Sequence, residues 1–271
     1  LIKAVCVVSG NDAAVALGEH IAGSEEAFVA RMNERAKALG MNDTHFVNCT
    51  GLPAEGHVTS AYDIALMSRE LILHHPDIRR FTTIWMDSLR DGQSMLVNTN
   101  KLVRFYPGAT GLKTGSTSSA KYCISATAEK DGCELIAVVL GGSTSDKRFA
   151  DAKALLNYGF ASYALVTVVP ESPLPAVPVT LGTQKTVQAV LTENNALLLE
   201  KSRAGSLTQS LSLPDRIEAP VSAGELLGSL DVFDTEGTLV SSLPLLAGED
   251  VPRVTWRQLF RRCVETAFCA R

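Results

Sequence analysis

The strongest constraint on the fold is a pair of apolar, β-rich runs separated by a short turn. Residues 122–129 and 133–140 are mainly apolar, and the Lys130-Asp131-Gly132 sequence between them is typical of a β-hairpin. Helical patterns lie before and after this hairpin in the chain. Helices packed on an antiparallel sheet form an α+β domain, so we predict that fold class for residues 1–167.

Four helices are predicted around the hairpin from their caps and apolar spacing. Residues 11–20 form a short helix, and Ser24 caps the next one, which ends at Gly40. Ser60 and Asp63 form a capping box at the start of a third helix. Ser145 is the predicted cap of the fourth helix. The apolar face of this helix consists of Phe149, Ala152, Leu156 and Phe160.

Two changes in amino-acid composition and hydrophobic pattern divide the chain further. Four prolines lie between positions 170 and 178, and beyond them short alternating runs with turn residues predict a small all-β domain over 168–252. Residues 253–271 contain an amphipathic helix with arginines on its polar face, which favours binding to a membrane surface. Docking of this helix on the β-domain is the alternative.

The N-terminal residues 1–8 predict a buried helix without a cap or an initiator methionine. We therefore expect the chain to be part of a longer protein with further sequence upstream. No apolar run is long enough to cross a bilayer, and no signal peptide is present. Under the expectation of upstream sequence, the lack of a signal peptide carries no information about the compartment.

Charge and cysteine content exclude other classes of function. The net charge of −4 gives no electrostatic basis for binding nucleic acid. The six cysteines lack zinc-like or redox spacing, so we predict free thiols, no metal and no cofactor. Cys123 and Cys133 lie on the two arms of the hairpin, but the sequence does not establish a disulfide.

Two short motifs carry the chemistry. Ser9-Gly10-Asn11 lies at a helix junction, and Lys113-Thr114-Gly115 leads into a strand. Each alone has an ordinary structural explanation, a helix cap for the first and a loop glycine for the second. Together and in this order they match two of the three elements of penicillin-binding proteins and β-lactamases.

The residue types suit acyl transfer from a peptide amide. Ser9 is predicted to relay a proton to the departing amine, and Asn11 to bind the substrate's amide backbone. Lys113 adds positive charge that attracts an anionic substrate and favours deprotonated partners.

The next three residues are predicted to bind the substrate. The Thr114 hydroxyl binds the terminal carboxylate, and Gly115 leaves the strand edge bare for an extended peptide. The backbone N–H of Ser116 then points to where an oxyanion forms.

Residues 1–26, with the first motif, resemble the second-motif region of the D-alanyl-D-alanine carboxypeptidase family. Gly51-Leu52-Pro53 and the residues after it are similar to the family's next stretch, residues 111–115 to its third motif, and residues 219–228 to its C-terminal β-domain. The resemblance covers essentially the whole chain. It implies a β-lactamase/transpeptidase-like domain, followed by a small all-β domain.

The resemblance also implies a function and partners. The protein would be a serine carboxypeptidase that removes the terminal D-alanine from peptidoglycan stem peptides through an acyl-enzyme, and β-lactams would acylate it. It would lie outside the cytoplasm, peripheral on the outer face of the cytoplasmic membrane. The resemblance also implies that Arg148 helps to hold the terminal carboxylate of the substrate. The alternative is that Arg148 is an ordinary solvated arginine. His57 resembles a position at the rim of the site, although a structural role is favoured.

The family's Ser-x-x-Lys element, which supplies the nucleophile and its base, is expected before residue 1. Ser118-Ser119-Ala120-Lys121 matches it formally, but lies on a predicted strand, whereas the nucleophile needs a helix N-terminus where serine and lysine share a face. We therefore expect residues 1–271 alone to be inactive, with a separate or cleaved N-terminal segment as a partner. The alternatives are a class A β-lactamase and a non-catalytic peptidoglycan-binding relative.

Overall fold

A computed structural model describes residues 1–192, 195–205 and 207–269, with side chains throughout except at 262–263 and 265–269. The chain divides into two compact units, Leu1–Ala161 and Ser162–Arg271.

The first unit carries helices around a three-stranded sheet. Its helices are α1 Ile2–Val8, α2 Asn11–Ala22, α3 Glu25–Ala38, α4 Ala61–His74, α5 Arg79–Thr82, α6 Leu102–Phe105 and α7 Ser145–Ser162, with a 3₁₀ turn at Pro76–Ile78. Its strands are β1 Met86–Leu89, β2 Ser94–Val97, β3 Ala109–Thr117, β4 Lys121–Lys130 and β5 Cys133–Gly142. β1 and β2 form a separate small hairpin.

The predicted long hairpin is β4 and β5. These strands pair antiparallel, β3 adds to β4, and the strand order is β3-β4-β5. Lys130 pairs with Cys133, while Cys123 lies near the far end of the hairpin beside Gly141, whose N–H donates to its sulfur. Cys123 and Cys133 are therefore not opposite each other, and both are free thiols, as are Cys6 and Cys49. Cys263 and Cys269 fall outside the described side chains.

Helices cover both faces of this sheet, which gives the predicted α+β architecture. One face packs Ile124, Ala126 and Ala128 against α7 and α6 in a buried cluster. On the other face, the hydroxyl of Ser125 lies 2.7 Å from that of Ser68 on α4. The polar contact satisfies two buried hydroxyls, so the alternation of apolar and small polar residues along β4 is a consequence of having a helix on each side.

The helix starts follow the sequence, with two corrections. The Ser24 and Ser60 hydroxyls accept N–H groups of Ala27 and Asp63, as predicted for caps. The predicted capping box is only half formed, because the Asp63 carboxylate accepts the Asp43 N–H and the Thr44 hydroxyl instead. The prediction that Ser145 caps α7 is wrong, since the hydroxyl that accepts the Lys147 N–H is that of Thr144. Both residues suit a cap by type, and only the backbone path after β5 decides between them.

The second unit is an all-β fold with one helix. Its strands are β6 Tyr163–Thr167, β7 Ala176–Thr180, β8 Thr186–Leu191, β9 Ala196–Glu200, β10 Thr208–Ser212, β11 Ile217–Glu218, β12 Leu226–Phe233 and β13 Leu239–Ala247. A six-stranded sheet has the order β10-β12-β13-β8-β7-β11, and β6 pairs with β9. Alternate residues of β7, β8, β12 and β13 point into two buried apolar clusters.

The last helix is α8, Trp256–Cys269. Trp256 is 87% exposed and Phe260 72% exposed, and Val264 on the next turn is also exposed. Cys263, Ala267 and Phe268, which continue the apolar side of this helix in the sequence pattern, lie outside the described side chains. Within the part of the chain that the structure describes, none of the helices combines the length and apolarity needed to span a bilayer.

Candidate active site

Ser9 lies in the tight turn between α1 and α2. Its backbone is left-handed, with φ 59° and ψ 43°, and the Gly10 N–H donates to the Ala4 carbonyl at 3.1 Å. The N-cap of α2 is Gly10, without a side-chain cap hydrogen bond. Ser9 is the left-handed C-cap of α1 through its backbone, but its side chain does not serve as an N-cap of α2, so the turn presents that side chain at the surface.

Lys113 lies in the middle of β3, and its ammonium reaches the Ser9 turn. Nζ donates to Ser9 Oγ at 2.8 Å and also to the carbonyl of Thr114. Burial holds the pKa of Lys113 below its ordinary value, a shift that Cys6 beneath it partly opposes and the Arg148 charge reinforces. The structure thus brings together two motifs that are 104 positions apart.

Thr114 points to the other face of β3 from Lys113 and is 6% exposed. Its hydroxyl donates to the hydroxyl of Thr99 at 2.7 Å. Thr99 was not identified from the sequence. It lies between two asparagines in a stretch with ordinary turn composition, so no sequence signal distinguishes it.

Gly115 and Ser116 continue β3 and are exposed. Gly115 pairs with Cys123 inside the strand and does not end a loop, so the ordinary explanation of this glycine also fails. A Cβ built on Gly115 meets nothing within 4 Å. In the described sheet, β3 pairs on one side only, with β4. Its other edge is open to an extended ligand.

Arg148 is buried behind the end of β3. Its Nη1 donates to the carbonyls of Gly115 and Cys123 at 3.3 and 3.2 Å, and Nη2 to the Ser145 hydroxyl. Nε has no hydrogen-bond partner, and the side chain is 5% exposed. The solvated alternative is therefore wrong. Arg148 braces the strand that carries the Lys113 motif and places a positive charge beside it.

The other two predicted residues are Asn11 and His57. Asn11 is the first residue of α2 and is exposed. His57 packs edge-on against Phe46, and its Nδ1 accepts the Val47 N–H at 3.2 Å. Burial, with a smaller contribution from His45, lowers the pKa of His57. These contacts agree with the structural role favoured for this histidine.

Ser118 and Lys121, the formal Ser-x-x-Lys match, lie in the turn that joins β3 to β4. Residues 118–120 form the turn, and Lys121 begins β4 with a positive φ of 58°. The segment is a turn rather than the strand interior that the sequence suggested, and it is not the N-terminus of a helix. Ser118 therefore lacks the shared helical face that joins a nucleophilic serine to its lysine.

This arrangement has the components of one side of an acyl-transfer site: the Lys113 ammonium on the Ser9 hydroxyl, the buried Thr114 hydroxyl and the open edge of β3. Two family models match the chain. The D-alanyl-D-alanine carboxypeptidase model covers residues 1–144, and the model for the C-terminal domain of penicillin-binding protein 5 covers 167–253. The chain belongs to the D-alanyl-D-alanine carboxypeptidase family.

Curated members of this family are similar over nearly the whole chain. D-alanyl-D-alanine carboxypeptidase DacF of Bacillus subtilis is 39% identical over 97% of the chain, which covers 68% of that protein. DacC of Escherichia coli is 32% identical over 93% of the chain, which covers 63% of that relative. The chain therefore spans about two thirds of the length of these carboxypeptidases.

Solved structures of the family share the fold. Penicillin-binding protein 5 from Haemophilus influenzae superposes with a TM-score of 0.77 at 28% identity, covering 93% of this chain and 73% of that one. Penicillin-binding protein D2 from Listeria monocytogenes, solved with ampicillin bound, gives 0.54 at 38% identity over 58% of this chain and 65% of that one. The match to a carboxypeptidase C-terminal domain argues against the β-lactamase alternative.

Proposed function

We propose that residues 1–271 are the greater part of a serine D-alanyl-D-alanine carboxypeptidase that removes the terminal D-alanine from peptidoglycan stem peptides. The reaction proceeds through an acyl-enzyme, and β-lactams acylate the same serine. The observation that carries the proposal is the 2.8 Å contact between Lys113 Nζ and Ser9 Oγ, because it joins the side chains of the two motifs across 104 positions, which neither the backbone cap at Ser9 nor the strand pairing of Gly115 requires. Family membership supports the reaction type.

Each residue then has a role in binding or proton transfer. The substrate lies antiparallel along the open edge of β3, and its terminal carboxylate meets the Thr114 hydroxyl near the positive charges of Lys113 and Arg148. The Ser116 N–H donates to the oxyanion that forms on the attacked carbonyl. The base of the nucleophile takes the proton of the attacking serine, and Ser9, oriented by Lys113, gives a proton to the departing D-alanine amine and is reprotonated from that base. Asn11 binds the substrate amide.

We infer that the nucleophile is supplied from outside residues 1–271. Within these residues the Ser-x-x-Lys spacing occurs at Ser118 and Lys121, in a turn. The Ser9 hydroxyl already accepts a hydrogen bond from the Lys113 ammonium. Removing the nucleophile from a cooperating set of catalytic groups removes nearly all of the chemistry.

Labelling with a fluorescent penicillin tests this function. The intact protein that carries residues 1–271 should form a covalent adduct on a serine upstream of Leu1. Residues 1–271 alone should form none, and adding the upstream segment, in one chain or as an associated fragment, should restore labelling. Mass spectrometry of the labelled peptide decides the site. An adduct on Ser9 or Ser118 would refute the assigned roles, and an intact protein without any adduct would favour the non-catalytic alternative.

We further propose that the protein lies outside the cytoplasm and binds the outer face of the cytoplasmic membrane through α8. The exposed Trp256 and Phe260, one helical turn apart, form an apolar strip, and Arg257 and Arg261 lie on the same helix. Aromatic residues at the interface and arginines near anionic headgroups are the combination that such helices use.

A further inference from the structure

Residues 98–100 form a buried polar segment between β2 and α6. Asn98 is 3% exposed and Asn100 1% exposed. Asn98 Nδ2 donates to the Ile84 carbonyl at 2.7 Å, and its Oδ1 accepts the Asn100 N–H at 2.8 Å. Buried amides with their groups satisfied are costly to displace, so this segment is held in one conformation.

Asn100 ties the segment to the start of β3. Its Nδ2 donates to the Gly111 carbonyl at 3.0 Å, two residues before Lys113. Its Oδ1 accepts the Leu102 N–H at 3.1 Å. The register of the segment relative to β3 is therefore fixed by a side chain that is almost entirely buried.

Thr99, between the two asparagines, contacts both halves of the site. Its backbone N–H donates to the Val7 carbonyl at 3.0 Å, in the last turn of α1 and two residues before Ser9. Its hydroxyl accepts the hydrogen bond from Thr114 at 2.7 Å. Unlike its neighbours, Thr99 is exposed, so its side chain lies at the surface beside the open edge of β3.

We propose that Thr99 is a positioning residue for carboxylate recognition: its backbone holds the Ser9 turn, and its hydroxyl orients the hydroxyl of Thr114. The proposal rests on the proposed carboxypeptidase function. In the structure the Thr114 hydroxyl donates to the Thr99 hydroxyl. When a carboxylate arrives, the Thr114 O–H turns to it and the Thr99 O–H donates to the Thr114 oxygen, so each hydroxyl keeps its own proton and only rotates.

The test uses the intact protein and two peptides, a diacyl-L-lysyl-D-alanyl-D-alanine and its C-terminal amide. The readout is the ratio of kcat/KM for the acid to that for the amide, because this ratio isolates carboxylate recognition. Thr99→Val keeps the shape and removes the hydroxyl, and should lower the ratio roughly fivefold, the order of a lost hydrogen bond between neutral groups. Thr99→Ser should restore it. Thr186→Val, at an exposed strand position of the second unit, is the matched control and should leave the ratio unchanged.

A double variant distinguishes a Thr99 that acts through Thr114 from a Thr99 that contributes independently to carboxylate recognition. If Thr99 acts through Thr114, adding Thr99→Val to Thr114→Val should lower the ratio no further than Thr114→Val alone. Multiplicative losses, an unchanged ratio in Thr99→Val, or equal losses in Thr99→Val and Thr99→Ser would each overturn the proposal. If the wild-type protein neither cleaves the acid nor forms an adduct with penicillin, the proposed carboxypeptidase function is overturned as well. This outcome is distinguishable from failure of the Thr99 proposal alone, because it is seen in the protein without any substitution.

Discussion

The ammonium of Lys113 lies 2.8 Å from the hydroxyl of Ser9, and the pKa of that ammonium is lowered by burial. A partly buried cation next to a serine hydroxyl interacts with it more strongly than a fully exposed one, because less water screens it. In the proposed mechanism this contact places the positive charge of Lys113 beside Ser9 and orients the Ser9 hydroxyl for proton transfer.

Loss of the Lys113 charge should slow acylation. Lys113→Ala in the intact protein is expected to lower the rate of penicillin acylation by at least about a hundredfold, the order of a lost electrostatic contact in a protected site. Stopped-flow or gel-based labelling over time measures it. A neutral effect would mean that the site lies elsewhere.

The pH dependence should report the lowered pKa of Lys113. Since the folded pKa lies below the ordinary lysine value of 10.5, the charged form should be lost, and acylation should decline, at a pH lower than for an exposed lysine. Lys113→Arg stays charged throughout and should remove this alkaline decline even where its rate is lower. An identical alkaline limb in both proteins would contradict the assignment.

Two glycines on β3 should respond in opposite ways to alanine. A Cβ on Gly115 meets nothing, so Gly115→Ala should keep the thermal midpoint but lower acylation by about a hundredfold, the cost of misplacing a ligand by ~1 Å. A Cβ on Gly111, at φ +151°, meets the Thr82 side chain at 2.8 Å, so Gly111→Ala should lower the midpoint itself. Equal thermal losses in the two variants would argue against an open ligand edge at Gly115.

The cap of α7 gives a stability prediction. Thr144→Ala removes the hydroxyl that accepts the Lys147 N–H and should cost about 1 kcal/mol in the free energy of unfolding. Thr144→Ser keeps a hydroxyl acceptor at this position and should cost less, whereas Ser145→Ala would remove the acceptor of the buried Arg148 Nη2 and is not a clean control. Urea unfolding of both Thr144 variants measures the difference, and an unchanged free energy in Thr144→Ala would contradict Thr144 as the cap.

His57 should make stability sensitive to acid. Because burial, with His45 contributing less, lowers the folded pKa of His57 below 6.5, the unfolded chain binds its proton more readily. The folded state therefore loses stability as the pH falls below about 6.5, and this contribution vanishes above that pH. His57→Gln cannot titrate, so its unfolding free energy should fall less between pH 8 and pH 5. Equal losses in wild type and variant would rule out this linkage.

The membrane prediction for α8 is tested by sedimentation with phosphatidylglycerol-containing vesicles. The intact protein should sediment with them, and a form without residues 254–271 should not. Trp256→Ala with Phe260→Ala should weaken binding while keeping the arginines. Equal binding by the full and shortened forms would leave docking on the β-domain as the interpretation of the helix.

The β1–β2 hairpin, α5 and α6 were not predicted, but the sequence by itself determined the main helices of the first unit, the β4–β5 hairpin and which residues are chemically distinctive. Local signals suffice for these: the turn at residues 130–132 fixed the β4–β5 hairpin, and Ser24 and Ser60 fixed two helix starts. The two motifs and their order were enough to indicate the family. Such features depend on neighbours within a few positions, where propensity and capping act.

Only the tertiary structure decided how the distinctive residues are combined. It placed the Lys113 ammonium on Ser9, buried Arg148 under the Gly115 carbonyl and joined the Thr114 hydroxyl to Thr99. It also selected Thr144 over Ser145 as the cap of α7. These outcomes depend on backbone paths and on the satisfaction of buried polar groups between segments far apart in the chain, and no local pattern encodes a contact across such a distance.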